Sequence, residues 1–321
     1  MTQGNNLMKA IVLHGFGDTG NLVLEEAPVP LITNEEVLVK VKSAAINPID
    51  AKTRSGKGLS GMLKDETPLI LGWDISGIVT ETGESVTAFK KGDEVFGMVN
   101  FPGHGKAYAE YVAAPAAHLA LKPLNISFNE AAAASLAALT AWQSMKAFTS
   151  IQKGQKVLIH AAAGGVGHYA VQIAKYSGAW VAGTASVANR DFVLGLGADK
   201  HINYNAAPLE EQVSDIDFVL DTLGGESIDR SIGVMKKGAT IISIPSGMNE
   251  AVGEKAAAKG MHGYAFKVKS NGNDMKEIAS LLEKGIVKSH VSDVFSFADI
   301  AKAHAQIETG RTKGKVVVAW Q

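Results

Sequence analysis

Cysteine is absent from the 321-residue chain, and that one absence removes disulfides, thiolate zinc sites and cysteine nucleophiles together. It also suits a reducing compartment. Neither sign of charge dominates: 31 Lys+Arg stand against 32 Asp+Glu. Without a long basic or acidic run, nucleic acid and acidic surfaces are poor partners. No apolar run reaches the roughly 18 residues that a membrane helix needs. The opening MTQGNNL is polar and lacks the basic and apolar regions of a signal peptide. Residues 1–7 therefore read as a short disordered extension, and the chain as soluble and cytoplasmic. No internal repeat or low-complexity tract is present. Glycine is what abounds, with 34 residues, above the usual share of roughly 7%, as many tight turns and some close backbone approaches require. At about 150 residues per domain the length gives roughly two domains, enough to bury sizeable cores without staples.

The first third reads as β-rich. Residues 8–13 form a short apolar run, and 36–43 alternate, with Val37, Val39 and Val41 on one face. Segments 75–81 and 94–99 continue the style, so a barrel or sandwich is expected, with no clear periodic helix. The texture changes near residue 125. Ser127 and Glu130 form a capping-box pattern ahead of an Ala-rich helix expected over 131–145. Strands at 156–161, 180–184, 218–221 and 240–244 then alternate with helices at 167–177 and 190–196. Repeated βα units imply a doubly wound parallel sheet. Near the end, Asp274 is read as the cap of a helix over 275–284, Ser296 and Asp299 open another over 298–308, and 316–320 is a last strand.

The most informative segment is KVLIHAAAGGVGHYAVQIAK, residues 156–175. An apolar strand runs into Ala162, Ala163, Gly164, Gly165, Val166 and Gly167, and a helix follows. Read as a dinucleotide fingerprint, Gly164 lets the backbone approach a pyrophosphate. Gly167 lets the helix pack closely on the strand, and the helix N-terminus offers free N–H groups. A tight strand-to-helix connection needing only small residues is the plainer alternative. An NAD site places a carboxylate at the tip of the second strand, about 20 residues on. Here that strand ends VAGTAS, and Ser186 and Arg190 follow. A hydroxyl and a guanidinium suit a ribose 2′-phosphate, so NADPH is expected. The plainer reading makes Ser186 a helix start and Arg190 a solvated side chain.

Several ordered motifs accompany this turn: Asn47-Pro48-Ile49-Asp50, Leu71-Gly72-Trp73-Asp74 with Gly77, Gly92-Asp93 with Val95, Leu139-Thr140-Ala141-Trp142, Asp221 with Gly224-Gly225, and Gly314-Lys315-Val316-Val317. Together they resemble the quinone oxidoreductase/zeta-crystallin family, the zinc-independent branch of the medium-chain dehydrogenase/reductases, over nearly the whole chain. The resemblance implies an α/β protein. A GroES-like β-barrel domain would be formed by residues 1–125 and 269–321, a Rossmann-type domain by 126–268, and a cleft would hold NADPH. Carried over by position, Ser186 and Arg190 would contact the 2′-phosphate, with Tyr204 near the adenosine end. Thr140 and Asn47 would lie near the nicotinamide or its phosphates. Ala163, Gly164, Gly165, Val166 and Gly167 would form the phosphate turn, and Phe266 and Val268 would pass the carboxamide. A homodimer joined through the Rossmann-type domains is also implied. Trp73 stands where zinc-dependent relatives place a His, so no metal is expected. His160 and His168 flank the turn and read as packing or capping groups.

The implied chemistry is metal-free hydride delivery to a quinone. A related option is the C=C bond of a 2-alkenal or enone, and a non-catalytic NADPH-binding redox sensor is the alternative from another class. Such acceptors spread the developing negative charge, so hydrogen-bond donors can replace a Lewis acid. Many relatives carry a Tyr where this chain has Lys52. Lys52 is thus either a proton donor or a solvated rim residue, Asn47 is the leading candidate to touch substrate, and Asp50 reads as structural.

Overall fold

The computed structural model describes residues 6–147 and 151–320. Of the segment 1–7 read as an extension, residues 1–5 lie outside the described residues, and Leu7 already begins a strand. The strands in chain order are β1 (Leu7–Leu13), β2 (Leu22–Pro28), β3 (Glu36–Ile46), β4 (Asp74–Thr82), β5 (Glu94–Met98), β6 (Tyr111–Pro115), β7 (Leu119–Leu121), β8 (Lys156–Ile159), β9 (Trp180–Ala185), β10 (Lys200–Asn203), β11 (Ile216–Asp221), β12 (Met235–Ser243), β13 (His262–Ala265), β14 (Val291–Ser296) and β15 (Lys315–Ala319). They fall into two compact units, Met1–Leu139 with Lys269–Gln321, and Thr140–Val268.

The first unit is built on β3. One edge pairs antiparallel with β4, while the other is shared, its first half with β6 and its second with β15. The order β14-β15-β3-β4-β5-β7 completes the sheet. Strong alternation puts Val37, Val39 and Val41 in the core and leaves Lys40 exposed, as a half-buried strand requires. The β1–β2 hairpin is tied in by Ile11 N–H to Tyr108 O at 2.8 Å and Leu13 N–H to Leu69 O at 2.8 Å. A helix not expected from periodicity, Pro48–Arg54, follows β3 directly, with Pro at its first position and Asn47 and Asp50 forming a capping box.

This unit runs to Leu139, past the change of texture near 125. The reason is packing: Ala132 and Ala133 of the helix Phe128–Ala133 share a small core with Ala45 of β3 and Val317 of β15. The Ser127–Glu130 box forms as expected, Glu130 N–H donating to Ser127 Oγ at 3.2 Å. The single helix expected over 131–145 is instead two, Phe128–Ala133 and Leu136–Ala147. The second starts where Asp74 Oδ1 accepts from Leu136 N at 2.9 Å, a tertiary cap that local propensity does not report. Near the C-terminus the cap is Asn271, not Asp274: its side chain accepts from Asn273 N and Asp274 N, and the helix is Gly272–Glu283. The expected 298–308 helix begins with a 3₁₀ turn, Phe297–Asp299, and continues as Ile300–Glu308.

In the second unit all pairings are parallel, in the order β10-β9-β8-β11-β12-β13. This is the doubly wound arrangement in which chain direction across the sheet reverses between β8 and β11. Leu158, Val219 and Ile241 from neighbouring strands bury against Ile228 and Ile232 of the helix Glu226–Gly233. Strands β10 and β13 flank the sheet as its edges and were not legible as strands. Each is four residues long, KHIN and HGYA, with one buried residue in β10 and none in β13, so neither carries an apolar run.

Candidate functional site

Ligands of doubly wound sheets sit beyond the carboxyl ends of the strands, where the order reverses. That place is occupied by the glycine turn after β8. Gly164 N–H closes the turn on Ala161 O at 2.8 Å, and the helix Gly165–Tyr176 begins at once. Its first N–H groups, from Gly165, Val166 and Gly167, have no intrahelical acceptor and point along the positive end of the helix dipole. Gly167 is required by packing: a Cβ there would collide with Ala161 O and lie 2.8 Å from Ala162 Cα. Ala163 is buried, while Gly164, Gly165 and Val166 remain partly accessible. The cradle therefore fits a diphosphate: partly accessible backbone at Gly164, Gly165 and Val166, set at a helix N-terminus.

The tip of β9 carries no carboxylate. Ser186 follows Ala185, and its Oγ accepts from Asn189 Nδ2 at 3.3 Å. Asn203 of β10 pairs with Ala185 of β9, so Tyr204, 60% exposed, emerges beside Ser186. Arg190 opens the next helix with its side chain 59% exposed, 3.1 Å from Asp191. An exposed neighbouring pair of this kind is worth little, so the guanidinium is available to a stronger anion. Phe266 N–H donates to Ser243 O at 3.0 Å just past β13, and Val268 is buried at the unit's end. Thr140, also buried, lies on the helix Leu136–Ala147. At the end of β11, Asp221 is saturated: it accepts from Gly224 N, Ser227 Oγ at 2.9 Å and Ser243 Oγ at 2.6 Å. That carboxylate shapes the loop into the helix Glu226–Gly233 and has no lone pair to spare.

The first unit contributes a different arrangement. Asn47 is only 1% exposed, and its amide is fully oriented. Nδ2 donates to Asp74 Oδ2 at 2.9 Å, and Oδ1 accepts from Lys315 Nζ. Asp50 Oδ2 accepts from Asn47 N at 2.6 Å, the structural role expected of it. Asp50, Asp74 and Lys315 are all essentially buried, and fully ionised they would leave one negative charge uncompensated. Burial, then the neighbouring Asp74 charge, pushes Asp50 up to about 7. Burial also raises Asp74 to about 6, outweighing Lys315 Nζ at 3.8 Å. Lys315 is lowered, burial prevailing over both carboxylates. Tyr108 lies against Asp50 with its phenol held well above the ordinary range, by burial first and then by that charge. Lys52, on the same short helix as Asp50, is exposed. Sequence reasoning placed Asn47 as a substrate contact; the structure places its side chain inside this cluster. Asp74 and Lys315 stood in the sequence only as motif letters. The available signal was a lysine heading an apolar strand, KVVVA, with nowhere to send its charge.

Trp73 is fully buried, its Nε1–H donating to Gly103 O at 2.7 Å with its ring edge-on to Phe101. Among the described residues no group of three His, Cys, Asp or Glu could hold a metal ion. Known proteins agree with the architecture. Residues 33–124 match the alcohol dehydrogenase GroES-like domain, and 196–318 match the family described as zinc-binding dehydrogenase. The chain is 35% identical to the NADPH-dependent alkenal/one oxidoreductase of Arabidopsis thaliana chloroplasts, over 97% of this chain and 79% of that one. It superposes on the quinone oxidoreductase structure from Coxiella burnetii with a TM-score of 0.94 at 36% identity, covering 98% of this chain and 100% of that one. The chain belongs to the quinone oxidoreductase-like medium-chain dehydrogenase/reductases. Within this oxidoreductase family it is also 34% identical to the 2-methylene-furan-3-one reductase of Solanum lycopersicum, over 97% of this chain and 79% of that one. The β3-centred sheet is thus the GroES-like domain, and the six-stranded sheet the Rossmann-type one. No helix among the described residues is long and apolar enough to cross a membrane.

Proposed function

We propose that this family member is an NADPH-dependent reductase of quinones, and that no metal takes part. One observation carries the reading: an open glycine turn at the sheet's reversal point, beside a second strand ending in Ser186 and Arg190 with no carboxylate. The N–H groups of Gly165, Val166 and Gly167 hold the diphosphate, and Arg190 with Ser186 holds the 2′-phosphate. Tyr204 lies at the adenosine end, and the segment from Phe266 to Val268 passes the carboxamide. NADPH, when bound, supplies the hydride. The chain itself supplies orientation and hydrogen-bond donors for an acceptor whose conjugation spreads the developing charge. Asn47, with its amide fixed by Asp74 and Lys315, fixes the geometry of the helix Pro48–Arg54 that carries Lys52.

The names of the Arabidopsis and tomato relatives favour a second substrate, the C=C bond of an alkenal or enone. The deciding assay mixes pure protein with NADPH and either 1,4-naphthoquinone or a 2-alkenal and follows nicotinamide absorbance. Faster loss with the quinone is expected; preference for the alkenal would move the assignment to the enone branch, and indifference to both would remove it. Coenzyme choice is checked separately. Arg190→Ala is expected to weaken NADPH binding by about 1.5–3 kcal/mol, the scale of a hydrogen bond to a charged group, and to leave NADH nearly unchanged. Equal losses for the two nucleotides would show that Arg190 does not read the phosphate.

A further inference from the structure

The glycine turn opens on a residue that is not glycine. Ala161 has φ +45°, the left-handed region that a Cβ disfavours, so something must hold it there. The holder is one residue of the adjacent strand. Thr184 Oγ1 accepts from Ala161 N at 3.1 Å, and Thr184 O accepts from Ala162 N at 2.9 Å. Both amides that enter the turn are thereby fixed by Thr184, which is 3% exposed.

The hydroxyl is itself oriented, and its proton can be placed by elimination. Ser231 Oγ lies 2.7 Å from Ser227 O, a carbonyl that can only accept, so the Ser231 hydrogen goes there. Ser231 Oγ then accepts from His160 Nε2–H at 2.8 Å. With Nε2 protonated, His160 Nδ1 is an acceptor, and the Thr184 hydroxyl donates to it at 3.2 Å. This leaves the Thr184 oxygen lone pair directed at Ala161 N. Every member is buried. Burial also pushes the His160 imidazole down to about 4, so it stays neutral and the direction of the chain is kept at neutral pH.

We propose that Thr184, oriented through His160 and Ser231, is the positioning residue of the diphosphate turn. It holds the left-handed Ala161 so that the N–H groups after Gly164 are already aimed before the nucleotide arrives, and binding is spared that ordering cost. The inference rests on the reading that this turn holds the diphosphate. Because the pyrophosphate is common to both nucleotides, Thr184 affects NADPH and NADH alike, unlike Arg190.

The test uses the full chain with Thr184→Val, which keeps the side-chain shape and drops the hydroxyl, and Thr184→Ser, which keeps the hydroxyl. Thr184→Val is expected to raise the dissociation constants of NADPH and NADH by the same factor, about tenfold, the scale of one buried hydrogen bond lost. In the cofactor-free protein it is expected to speed hydrogen exchange at Ala161 and Ala162. Thr184→Ser is expected to restore both readouts. Ser231→Ala, which removes the acceptor from His160 Nε2, shifts both readouts the same way by about threefold and carries the test if Thr184→Val does not fold. Wild-type affinity and exchange in the folded Thr184→Val and Ser231→Ala proteins would overturn the inference. So would a loss confined to NADPH, or a Thr184→Ser protein as weak as Thr184→Val. A wild-type chain that binds neither nucleotide would instead overturn the cofactor reading, and this inference with it.

Discussion

Lys315→Met is expected to destabilise the first unit by about 3–5 kcal/mol at pH 8, the usual cost of removing one partner from a buried ion pair. Lys315 is 3% exposed, and its ammonium donates to Ile46 O at 3.0 Å and to Asn47 Oδ1 while facing Asp74 at 3.8 Å. Methionine fills the space of the stem but leaves those two oxygens without a donor and the carboxylates without a cation. Acidification supplies the missing positive charge as protons on Asp50 and Asp74. The deficit should therefore shrink at pH 5, when urea midpoints of variant and wild type are compared. A loss independent of pH would mean that the lysine acts through packing alone.

The second large effect comes from Asp50. Its carboxyl is raised to about 7 in the folded protein, by burial and then by Asp74. A group raised on folding gives stability that is full at acid pH and lost as pH climbs through the folded value. Wild-type stability should thus fall between about pH 4 and pH 7 by up to ~4 kcal/mol, at 1.36 kcal/mol per unit. Asp74, raised to about 6, adds the same sign over a narrower range. Lys315, lowered by burial, acts in the opposite direction. Asp50→Asn keeps an oxygen to accept from Asn47 N and carries no charge. It is expected to flatten most of this decline and to exceed the wild type in stability at pH 8. Parallel pH profiles for the two proteins would show that Asp50 keeps an ordinary carboxylate in the fold.

What the sequence disclosed and what it hid divide along the range of the interactions involved. The glycine turn was legible because its signal is local: Gly167 is demanded by the backbone of Ala161 and Ala162, a few residues away. The Ser127–Glu130 box was legible for the same reason. The break before Leu136 was not, because its cap is Asp74, from a different strand. Asn271 was missed since Asp and Asn three residues apart offer equal caps on paper, and only the backbone chooses between them. The cluster of Asn47, Asp50, Asp74 and Lys315 joins three distant segments, and its meaning lies in one surplus buried charge that no motif displays. His160 reads from sequence as a packing or capping group, while the chain it completes through Thr184 and Ser231 exists only once β8, β9 and the helix Glu226–Gly233 are assembled.

The most direct test of the account is calorimetric titration of the wild-type protein with NADPH and with NADH under the same salt. Saturable heat is expected with both, and at least about tenfold tighter binding of NADPH, one charge-assisted contact's worth of discrimination. Equal affinities would contradict the assignment of Ser186 and Arg190, and the absence of binding heat with either nucleotide would contradict the function proposed for the turn.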